Sequence, residues 1–332
     1  MTILLTGGTG FIGSHTAVEL IQDNYDLVIV DNLSNSNIDV INKIQSITKK
    51  NITFIEGDIR DKNLISSTIK KNLITTVIHF AGLKSVNEST ENPYLYYDNN
   101  VNGTQALLEA MEENNVKNLI FSSSATVYGI PIYLPIDEDH PLQATNPYGQ
   151  NKIDIEKMLA DKSKEDGWRI ISLRYFNPIG AHPSGLLGEC PKETPNNLFP
   201  NIFEVIKKEI KELPVYGNDY KTKDGTCIRD YIDIIDLAKA HIKAIDFAKV
   251  TSGFHIFNIG TNKGLSILEV IHQFESVLHI KLNYKFSKRR IGDVESCYAN
   301  AKKANEMLKW IAETTIESSI INAYKFNLNN KF

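Results

Sequence analysis

Short runs of apolar and β-branched residues recur along the first half of the chain, separated by longer stretches of mixed polarity. The runs are Ile3–Leu5, Leu27–Val30, Thr53–Ile55, Thr76–Phe80, Leu119–Phe121 and Ile170–Leu173. Because they do not alternate apolar with polar positions, they predict strands that are covered on both faces. Phe11–Gln22, between the first two runs, predicts a helix. This strand–helix–strand repetition predicts an α/β fold with a doubly wound parallel sheet and right-handed crossovers.

The pattern changes after Phe176. Prolines and glycines cluster between Pro178 and Pro200, which is typical of loops. Helical periodicity returns in Ile202–Leu213, Ile234–Ala248, Ile267–Leu278 and Ala301–Leu308. We therefore predict two domains, residues 1–176 and residues 177–332, the second being smaller and of mixed α/β structure. Some segments of the second half are expected to return to the first domain.

Composition excludes several classes of protein. The net charge of −4 gives no basic excess, so we expect no nucleic-acid partner and no acidic membrane surface as partner. The three cysteines are widely spaced, which indicates neither a disulfide framework nor a zinc ribbon, and we expect no metal site. The residues after Met1 do not resemble a signal peptide, and no window reaches the ~18 apolar residues of a membrane span. We expect a cytoplasmic protein.

Three glycines follow the first predicted strand. Gly7, Gly10 and Gly13 stand three apart where this strand leads into the first helix. Glycine permits a tight turn and a close approach of the backbone to a pyrophosphate, and the helix N-terminus offers N–H groups to that anion. Asp31, at the end of the second strand, can accept both ribose hydroxyls of adenosine and would repel a 2′-phosphate. These features predict a Rossmann-type first domain that binds NAD rather than NADP.

The next two strand ends should face the same cofactor. Asp58 follows the third strand and is placed to meet the adenine edge. Phe80–Lys84 ends the fourth strand, and its small residues let the backbone lie against the cofactor. In open α/β sheets, ligands bind outside the carboxyl ends of the strands.

A tyrosine and a lysine four residues apart form the candidate catalytic pair. On a helix, Tyr148 and Lys152 lie on one face. A free tyrosine titrates near ~10, and a nearby ammonium favours the phenolate and lowers that pKa. The pair is therefore suited to removing a proton from an alcohol. A second pair with the same spacing, Tyr284 and Lys288, lies far along the chain from the glycine loop, and we interpret it as a chance match.

A run of serines, Ser122–Ser124, follows the fifth strand. A hydroxyl there can bind the substrate oxygen that gains or loses a proton, although by itself it is equally typical of a polar strand end. Together with Tyr148 and Lys152, Ser124 completes a Ser–Tyr–Lys set, which we prefer as the interpretation.

With these residues in place, the chain resembles the extended short-chain dehydrogenase/reductase family, and within it the UDP-glucose 4-epimerases. The likeness runs over nearly the whole chain. It is carried by TGGTGFIGSHT, VIHFAGLKSV, FSSSATVYG and NPYGQNK, and by LRYFNPIGAHPSG and RRIGDVESCYAN in the second half. The later motifs weigh more, because many relatives share glycine loops and the Tyr–Lys spacing.

The resemblance implies an NAD-dependent isomerase whose cofactor stays bound through the turnover. Tyr148, assisted by Ser124, would take the proton of the sugar 4-hydroxyl while C4 is oxidised. The 4-keto sugar would then present its other face, and reduction would invert the centre. The implied cofactor contacts are Gly7, Gly10, Phe11, Ile12, Gly13, Asp31, Asn32, Leu33, Ser34, Asn35, Ser36, Asp58, Ile59, Phe80, Ala81, Gly82, Lys84, Asn99, Ser122, Tyr148, Lys152, Tyr175 and Phe176.

The same resemblance implies a UDP-sugar site. Asn177 and Asn197 would hold the nucleotide sugar, Arg229 and Arg290 the diphosphate, Asp293 the uridine ribose, and Tyr216 the uracil. The full set of implied contacts is Lys84, Ser124, Tyr148, Asn177, Asn197, Leu198, Val215, Tyr216, Arg229, Arg290, Asp293 and Cys297. Cys297 matches a position beside the sugar, where a small residue leaves room for a 2-acetamido group. We therefore expect conversion of UDP-GalNAc and UDP-GlcNAc as well.

Three alternatives stay open. A nucleotide-sugar 4,6-dehydratase or decarboxylase begins with the same oxidation, but Ser124 is followed by Ala125 and Thr126 and not by a carboxylate. A non-catalytic NAD-sensing protein would typically lack the tyrosine. A dehydrogenase that releases the reduced cofactor would need stoichiometric NAD.

The resemblance also implies a homodimer in which helices near Asn99–Glu113 and Tyr148–Asp166 pair with their copies. Val101, Thr104, Leu107, Leu108 and Met111 have helical spacing, and could face either the partner or the sheet.

Overall fold

The structure, a computed structural model, describes residues 1–192, 197–290 and 292–330. In chain order the strands are β1 (Thr2–Thr6), β2 (Asp26–Asp31), β3 (Thr53–Glu56), β4 (Ile74–His79), β5 (Asn118–Ser124), β6 (Arg169–Tyr175), β7 (Asn177–Ile179), β8 (Leu213–Tyr216), β9 (Ile228–Arg229), β10 (Tyr231–Asp233), β11 (Gly253–Ile259), β12 (Leu265–Ser266), β13 (Tyr284–Ser287) and β14 (Ser296–Cys297).

The helices are α1 (Phe11–Gln22), α2 (Asp39–Thr48), α3 (Lys62–Lys71), α4 (Val86–Glu91), α5 (Pro93–Tyr97), α6 (Gly103–Glu113), α7 (Pro147–Lys162), α8 (Leu198–Lys207), α9 (Ile234–Val250), α10 (Ile267–Leu278) and α11 (Ile316–Asn329). Asp98–Asn102 and Ala304–Leu308 are short π-helical segments, and Ala125–Tyr128 is a 3-10 turn. None of these helices is long and apolar enough to cross a membrane.

Seven parallel strands form the main sheet, in the order β11-β6-β5-β4-β1-β2-β3. The chain therefore builds outward from β1 in one direction through β2 and β3, and in the other through β4, β5, β6 and β11. The order reverses between β1 and β4, and this reversal opens a crevice at the carboxyl ends of the strands, where ligands bind in sheets of this kind. The predicted doubly wound parallel sheet is confirmed.

The two faces of the sheet are both buried, which explains the continuous apolar runs. Ile3 and Leu5 pack into one core cluster with α1 and α9, whereas Leu4 packs into the opposite cluster with α3 and α6. All three side chains are fully buried. Burial of one such side chain contributes about 1.5–3 kcal/mol, so both helix layers hold the sheet rigid beneath the crevice.

The apolar stripe of α6 faces the sheet. Val101, Thr104, Leu107, Leu108 and Met111 are all buried within the chain itself. Of the two orientations that the sequence left open, the structure therefore has the one in which this stripe packs on the core.

The chain returns to the first sheet after residue 176. Helix α9 packs against α1, and β11 pairs with β6 along its whole length, from Gly253 opposite Arg169 to Ile259 opposite Tyr175. The sequence did not predict β11. Within residues 234–259, β11 extends the first sheet and α9 packs against α1. A domain boundary at residue 176 therefore stays a prediction.

In the rest of the second half, the side chains of α8, β8, α10 and α11 form a separate apolar cluster. The predicted helix Ile202–Leu213 is wrong at its C-terminal end, because α8 stops at Lys207 and Lys208 adopts the left-handed conformation, with φ 66°. Leu213 instead begins β8, which pairs with β13. Of the predicted helix Ala301–Leu308, the structure has the π-helical segment Ala304–Leu308.

Candidate active site

The glycine loop leaves no room for side chains. Gly7 has a φ of +69°, and a Cβ there would lie 2.5 Å from the backbone nitrogen of Ala81. A Cβ on Gly13 would lie 2.5 Å from the carbonyl oxygen of Gly7. Gly10 is the N-cap of α1, and no side chain of the described residues caps that helix. The first-turn N–H groups are thus presented to an anion, so the loop fits the pyrophosphate of a dinucleotide.

Asp31 lies beside this loop at the end of β2. Its Oδ2 accepts from the backbone N–H of Thr9 at 3.1 Å, and its Oδ1 accepts from the N–H of Leu33 at 2.9 Å and the hydroxyl of Ser36 at 3.2 Å. These donors, two of which belong to the loop Asn32–Ser36, fix the position of the carboxylate. The adenosine ribose would lie beside it. A negative charge held there disfavours a 2′-phosphate, as predicted for an NAD site.

Asp58, predicted at the adenine edge, is engaged by a neighbour. Arg60 donates from Nε to Asp58 Oδ1 at 2.9 Å and from Nη2 to Oδ2 at 2.8 Å. These hydrogen bonds lower the pKa of Asp58 to about 2. Arg60 also binds Asp98 at 2.7 Å. An adenine contact by Asp58 or by the buried Ile59 beside it stays a prediction.

The Phe80–Lys84 loop is held by an asparagine that the sequence did not single out. Asn100 Oδ1 accepts from the N–H of Leu83 at 2.8 Å, and its Nδ2 donates to the carbonyl of Leu83 at 3.0 Å. Asn100 is buried, whereas the predicted Asn99 is half-buried. Asn99 and Asn100 are adjacent in the sequence, and they differ only in the side of the helical segment to which their side chains project. Asn100 thus shapes the cofactor loop from behind.

The candidate base, Tyr148, lies in the first turn of α7. Lys152 lies one turn further along the same helix. Asn146 caps the helix by accepting from the N–H of Gly149 at 2.8 Å. Lys152 Nζ donates to the carbonyl of Ser122 at 2.6 Å and lies 5.7 Å from the centroid of the Tyr148 ring. The predicted pair therefore faces the end of β5.

The Lys152 ammonium alone does not lower the pKa of Tyr148 as expected. Burial is the largest cause and raises the pKa of Tyr148, and a hydrogen bond with the Ser124 hydroxyl opposes that rise. Burial also lowers the pKa of Lys152, to about 8. The Lys152 ammonium binds the Ser122 carbonyl and not the phenol oxygen. A phenolate at Tyr148 would need a further positive charge nearby.

The third member of the set, Ser124, has its lone pairs oriented by its neighbour. Thr126 donates to the Ser124 Oγ from its backbone N–H at 3.2 Å and from its hydroxyl at 3.0 Å. The single proton of Ser124 is then available to the Tyr148 oxygen, with which Ser124 is hydrogen-bonded, or to a substrate oxygen. Tyr175, opposite Ser124 in the sheet register, is buried and bonded through its hydroxyl to His241 Nε2 at 2.5 Å. Phe176 follows it and is buried too.

Five predicted substrate residues come together in the second half of the chain. Arg290 Nε donates to Asp293 Oδ2 at 2.9 Å, and Arg229 Nη2 lies 3.7 Å from Asp293 Oδ1. The Arg290 guanidinium lies 4.8 Å from the centroid of the Tyr216 ring. Cys297 pairs with Arg229 between β14 and β9. Two guanidinium groups beside an aromatic ring suit a diphosphate with an attached base.

Cys297 links this cluster to the first-half set. Its side chain packs with Phe176 and Ala125 in one small apolar cluster. Ser124 directly precedes Ala125, the first residue of the 3-10 turn. Cys297, predicted to lie beside the sugar, is therefore near the predicted catalytic hydroxyl of Ser124.

A glutamate missed by the sequence analysis joins two further predicted contacts. Glu189 Oε1 accepts from Asn197 Nδ2 at 2.6 Å and lies 3.4 Å from Lys84 Nζ. Lys84 follows β4 and Asn197 precedes α8, so Glu189 joins the first half of the chain to the second. No local motif marks Glu189, because Lys84 lies far away along the chain.

The other predicted substrate positions differ in what their side chains can reach. Asn177 donates its backbone N–H to the carbonyl of Asp230 at 2.9 Å and is half-buried. Leu198 and Val215 pack into the second-half core, and Val215 is buried. Val215 can therefore meet a ligand only through its backbone.

Comparisons with known proteins show the family of this chain. The family model described as GDP-mannose 4,6 dehydratase matches residues 4–322. A UDP-glucose 4-epimerase of Bacillus subtilis (strain 168) is 47% identical, over 99% of this chain and 98% of the relative.

The chain belongs to the UDP-glucose 4-epimerase family. Two solved structures of this family are similar over 99% of the chain. The enzyme of Stenotrophomonas maltophila, with bound NAD and formylated UDP-arabinopyranose, has a TM-score of 0.97 at 41% identity, with 98% of that chain covered. The enzyme of Bifidobacterium longum, in complex with NAD+ and UDP, has a TM-score of 0.95 at 46% identity, with 99% of that chain covered. The family resemblance inferred from the motifs is confirmed.

Proposed function

We propose that this enzyme interconverts UDP-galactose and UDP-glucose through a 4-keto intermediate, with NAD bound throughout. The observation that carries the proposal is that Ser124, Tyr148 and Lys152 lie together at the carboxyl end of β5. This end of the strand borders the crevice at the reversal of strand order. The family relationship and the arginine cluster around Asp293 support the same substrate class.

Tyr148 is the base in this proposal. When bound, NAD supplies the oxidant for C4 and a positively charged nicotinamide ring, which favours a phenolate at Tyr148 against the effect of burial. Tyr148 takes the proton of the 4-hydroxyl and later returns one to the 4-keto oxygen. Thr126 uses both lone-pair directions of Ser124, so the single Ser124 proton, which here is shared with Tyr148, turns to the same sugar oxygen when substrate binds in this proposal.

The arginine cluster allows the sugar to turn while its nucleotide stays fixed. Arg229 and Arg290 clamp the diphosphate in this proposal, and Tyr216 supports the uracil. Planar guanidinium groups bind phosphate oxygens in two-pronged fashion, so the anchor is firm while the bond between sugar and phosphate can rotate. The sugar then offers its other face to the same cofactor, and C4 is inverted.

Dehydration at C6 is disfavoured by the residues beside Ser124. Ala125 has no acid–base group, and the Thr126 hydroxyl is spent on Ser124. Expulsion of the 6-hydroxyl needs an acid and a base at that place. Direct return of the hydrogen to C4 is therefore the outcome that these residues favour.

Conversion without added cofactor tests the proposed function. The purified protein, given UDP-galactose and no NAD, should yield a mixture with UDP-glucose over many turnovers. A dehydrogenase would stop without stoichiometric NAD, and an NAD-sensing protein would yield no product. Either of those results would refute the proposal.

We further propose that Cys297 admits the 2-acetamido group, so that UDP-GalNAc and UDP-GlcNAc are interconverted as well. Cys297→Tyr should lower kcat/KM for UDP-GalNAc by ~10–10²-fold, because the larger ring fills the space beside Phe176, and should change that for UDP-galactose little. Cys297→Ala, which stays small, should keep both activities. Parent protein that converts UDP-galactose but shows no activity on UDP-GalNAc would refute this extension.

A homodimer is part of the proposal, and an exposed apolar face supports it. Tyr94, Leu95 and Tyr97 of α5 are 90%, 46% and 47% exposed. Tyr94 and Tyr97 line a groove of about 580 Å³ that Pro147 of α7 also lines. Contiguous apolar surface of this kind is typical of contact sites, and a two-fold axis would place the same helices of both copies together.

Sedimentation measurements test the dimer. Tyr94→Glu should shift the protein to the monomer, with dimerisation weakened at least ~10²-fold, because two carboxylates would be buried at the contact. Val250→Glu replaces another exposed apolar residue, 81% exposed at the end of α9, and should leave the dimer intact. A monomeric parent protein would contradict the proposal.

A reducing, cytoplasmic location fits the cysteines. Cys190 is exposed, Cys227 is buried and Cys297 is half-buried, and all three are free thiols. Disulfides are rare in such compartments, whereas exposed thiols persist there.

A further inference from the structure

A buried glutamate on the catalytic helix is bonded to both neighbouring strands. Glu156 of α7 is 3% exposed. Its Oε1 accepts from Ser123 Oγ of β5 at 2.7 Å, from Ser172 Oγ of β6 at 2.9 Å and from Arg174 Nε at 3.0 Å. Its Oε2 accepts from Arg174 Nη2 at 2.6 Å. Both oxygens are thus satisfied by donors from the sheet.

The partner arginine extends these bonds to β11, the edge strand of the sheet. Arg174, 1% exposed, donates from Nη1 to the Tyr128 hydroxyl at 2.9 Å. Tyr128 donates in turn to Asn258 Oδ1 of β11 at 2.6 Å, and Asn258 Nδ2 donates to the carbonyl of Ile136 at 2.9 Å. We call Ser123, Glu156, Ser172, Arg174, Tyr128 and Asn258 the Glu156 network. A buried ion pair is weak evidence for stability, because desolvation offsets its attraction, so another reason for these bonds is called for.

The position of Glu156 along α7 supplies that reason. Tyr148, Lys152 and Glu156 follow one another at intervals of four residues and therefore share a helix face. Lys152 binds the carbonyl of Ser122, while Glu156 binds the hydroxyl of Ser123. Two adjacent residues of β5 thus hold two successive turns of α7, which fixes how far the helix can slide or rotate on the strand.

We propose that Glu156, held by Arg174, is a positioning residue for the base Tyr148 and its neighbour Lys152. It sets the register of α7 on β5 and places a negative charge one turn from the Lys152 ammonium. The inference rests on the proposed function, because it concerns the base of that reaction.

The charges around Lys152 support this role. Glu156 raises the pKa of Lys152 against the larger effect of burial. The other titratable groups that face the pair are His79 on β4, whose pKa burial lowers to about 3, and Tyr175 on β6, which interacts with Tyr148. His79 is therefore neutral at working pH. Removal of the Glu156 charge would lower the pKa of Lys152 below about 8, so its ammonium would be lost at a lower pH.

The first test is Glu156→Gln, which keeps the length of the side chain and removes its charge. We expect kcat for UDP-galactose to fall about tenfold, with KM changed less than about threefold, since misplacement of a base acts on the chemical step. The alkaline limb of the kcat profile should move to lower pH. Glu156→Asp, which keeps the charge but not the reach, should restore the pH profile and only part of the rate.

Asp236→Asn is the matched control. Asp236 is another buried carboxylate, on α9, and accepts from the N–H groups of Glu313 and Thr314 at 2.9 and 2.7 Å. Its loss should lower the melting temperature and leave the pH profile of kcat unchanged. A purely structural Glu156 would behave in the same way, and that result would overturn the inference.

A milder pair of variants covers the case in which Glu156→Gln does not fold. Ser123→Ala removes one hydroxyl that donates to Glu156, and Ser319→Ala removes one that donates to the buried Asp233 at 2.6 Å. Ser123→Ala should lower kcat about threefold or more and shift the pH profile in the same sense, whereas Ser319→Ala should do neither. Equal behaviour of these two variants would overturn the inference. An inactive parent protein would instead refute the proposed function.

Discussion

Tyr148→Phe should lower kcat for conversion of UDP-galactose by ~10²-fold or more, with no NAD added to either protein. The ring and its packing are kept, and only the oxygen that accepts the 4-hydroxyl proton is lost. Bound cofactor and melting temperature should change little. The rate is measured by coupling the UDP-glucose formed to an indicator dehydrogenase.

The chain has a matched control for this variant. Tyr284 stands four residues before Lys288, as Tyr148 does before Lys152, but it lies in β13 rather than on a helix and is 36% exposed. Tyr284→Phe should keep the parent rate. If Tyr148→Phe kept it too, the phenol would not be the base.

Gly7→Ala should give a protein that has lost most of its bound NAD. The residue has a φ of +69°, and its new Cβ would lie 2.5 Å from the backbone nitrogen of Ala81, so the loop must move. Strain of about 1–3 kcal/mol at the phosphate cradle corresponds to roughly 5–150-fold weaker binding. The NAD content per chain, measured after denaturation of the purified protein, reports this loss.

Gly253→Ala separates the two causes of that effect. Gly253 also has a positive φ, +84°, but no heavy atom lies within 4 Å of the Cβ position. This variant bears the cost of the left-handed backbone without the clash, so its melting temperature should fall while its NAD content stays normal. Equal loss of NAD in both variants would show that the loop contact is irrelevant to binding.

The cofactor half of the fold could be predicted because its signals are local. The buried strands are continuous apolar runs, and the glycines stand directly between β1 and α1. The spacing of Tyr148 and Lys152 predicted a shared helix face, and α7 begins at Pro147. Each of these inferences needs only a few neighbouring residues.

What could not be predicted depends on partners far away along the chain. Strand β11 has His255 and Asn258 among its apolar residues, and only its pairing with β6 marks it as part of the main sheet. The pairing of β8 with β13 ends the predicted helix Ile202–Leu213 early, because Leu213 is taken by the strand. Neither the pairing of β11 with β6 nor that of β8 with β13 can be inferred from the spacing of residues in the sequence.

The site shows the same division. Glu189 and Asn100 were missed, since Glu189 binds Lys84 and Asn100 binds Leu83, both in the loop after β4. Lys152 alone does not lower the pKa of Tyr148, because burial of the phenol raises it and the ammonium binds the Ser122 carbonyl. Residue types and spacing named the reacting groups, while burial and competing partners decide how they titrate.

Incubation of the purified protein with UDP-galactose deuterated at C4, in ordinary water and without added NAD, tests the central claim most directly. If C4 is oxidised and reduced again within one closed site, the UDP-glucose formed should retain the deuterium at C4. Its replacement by hydrogen from water, or the absence of any UDP-glucose, would contradict the account.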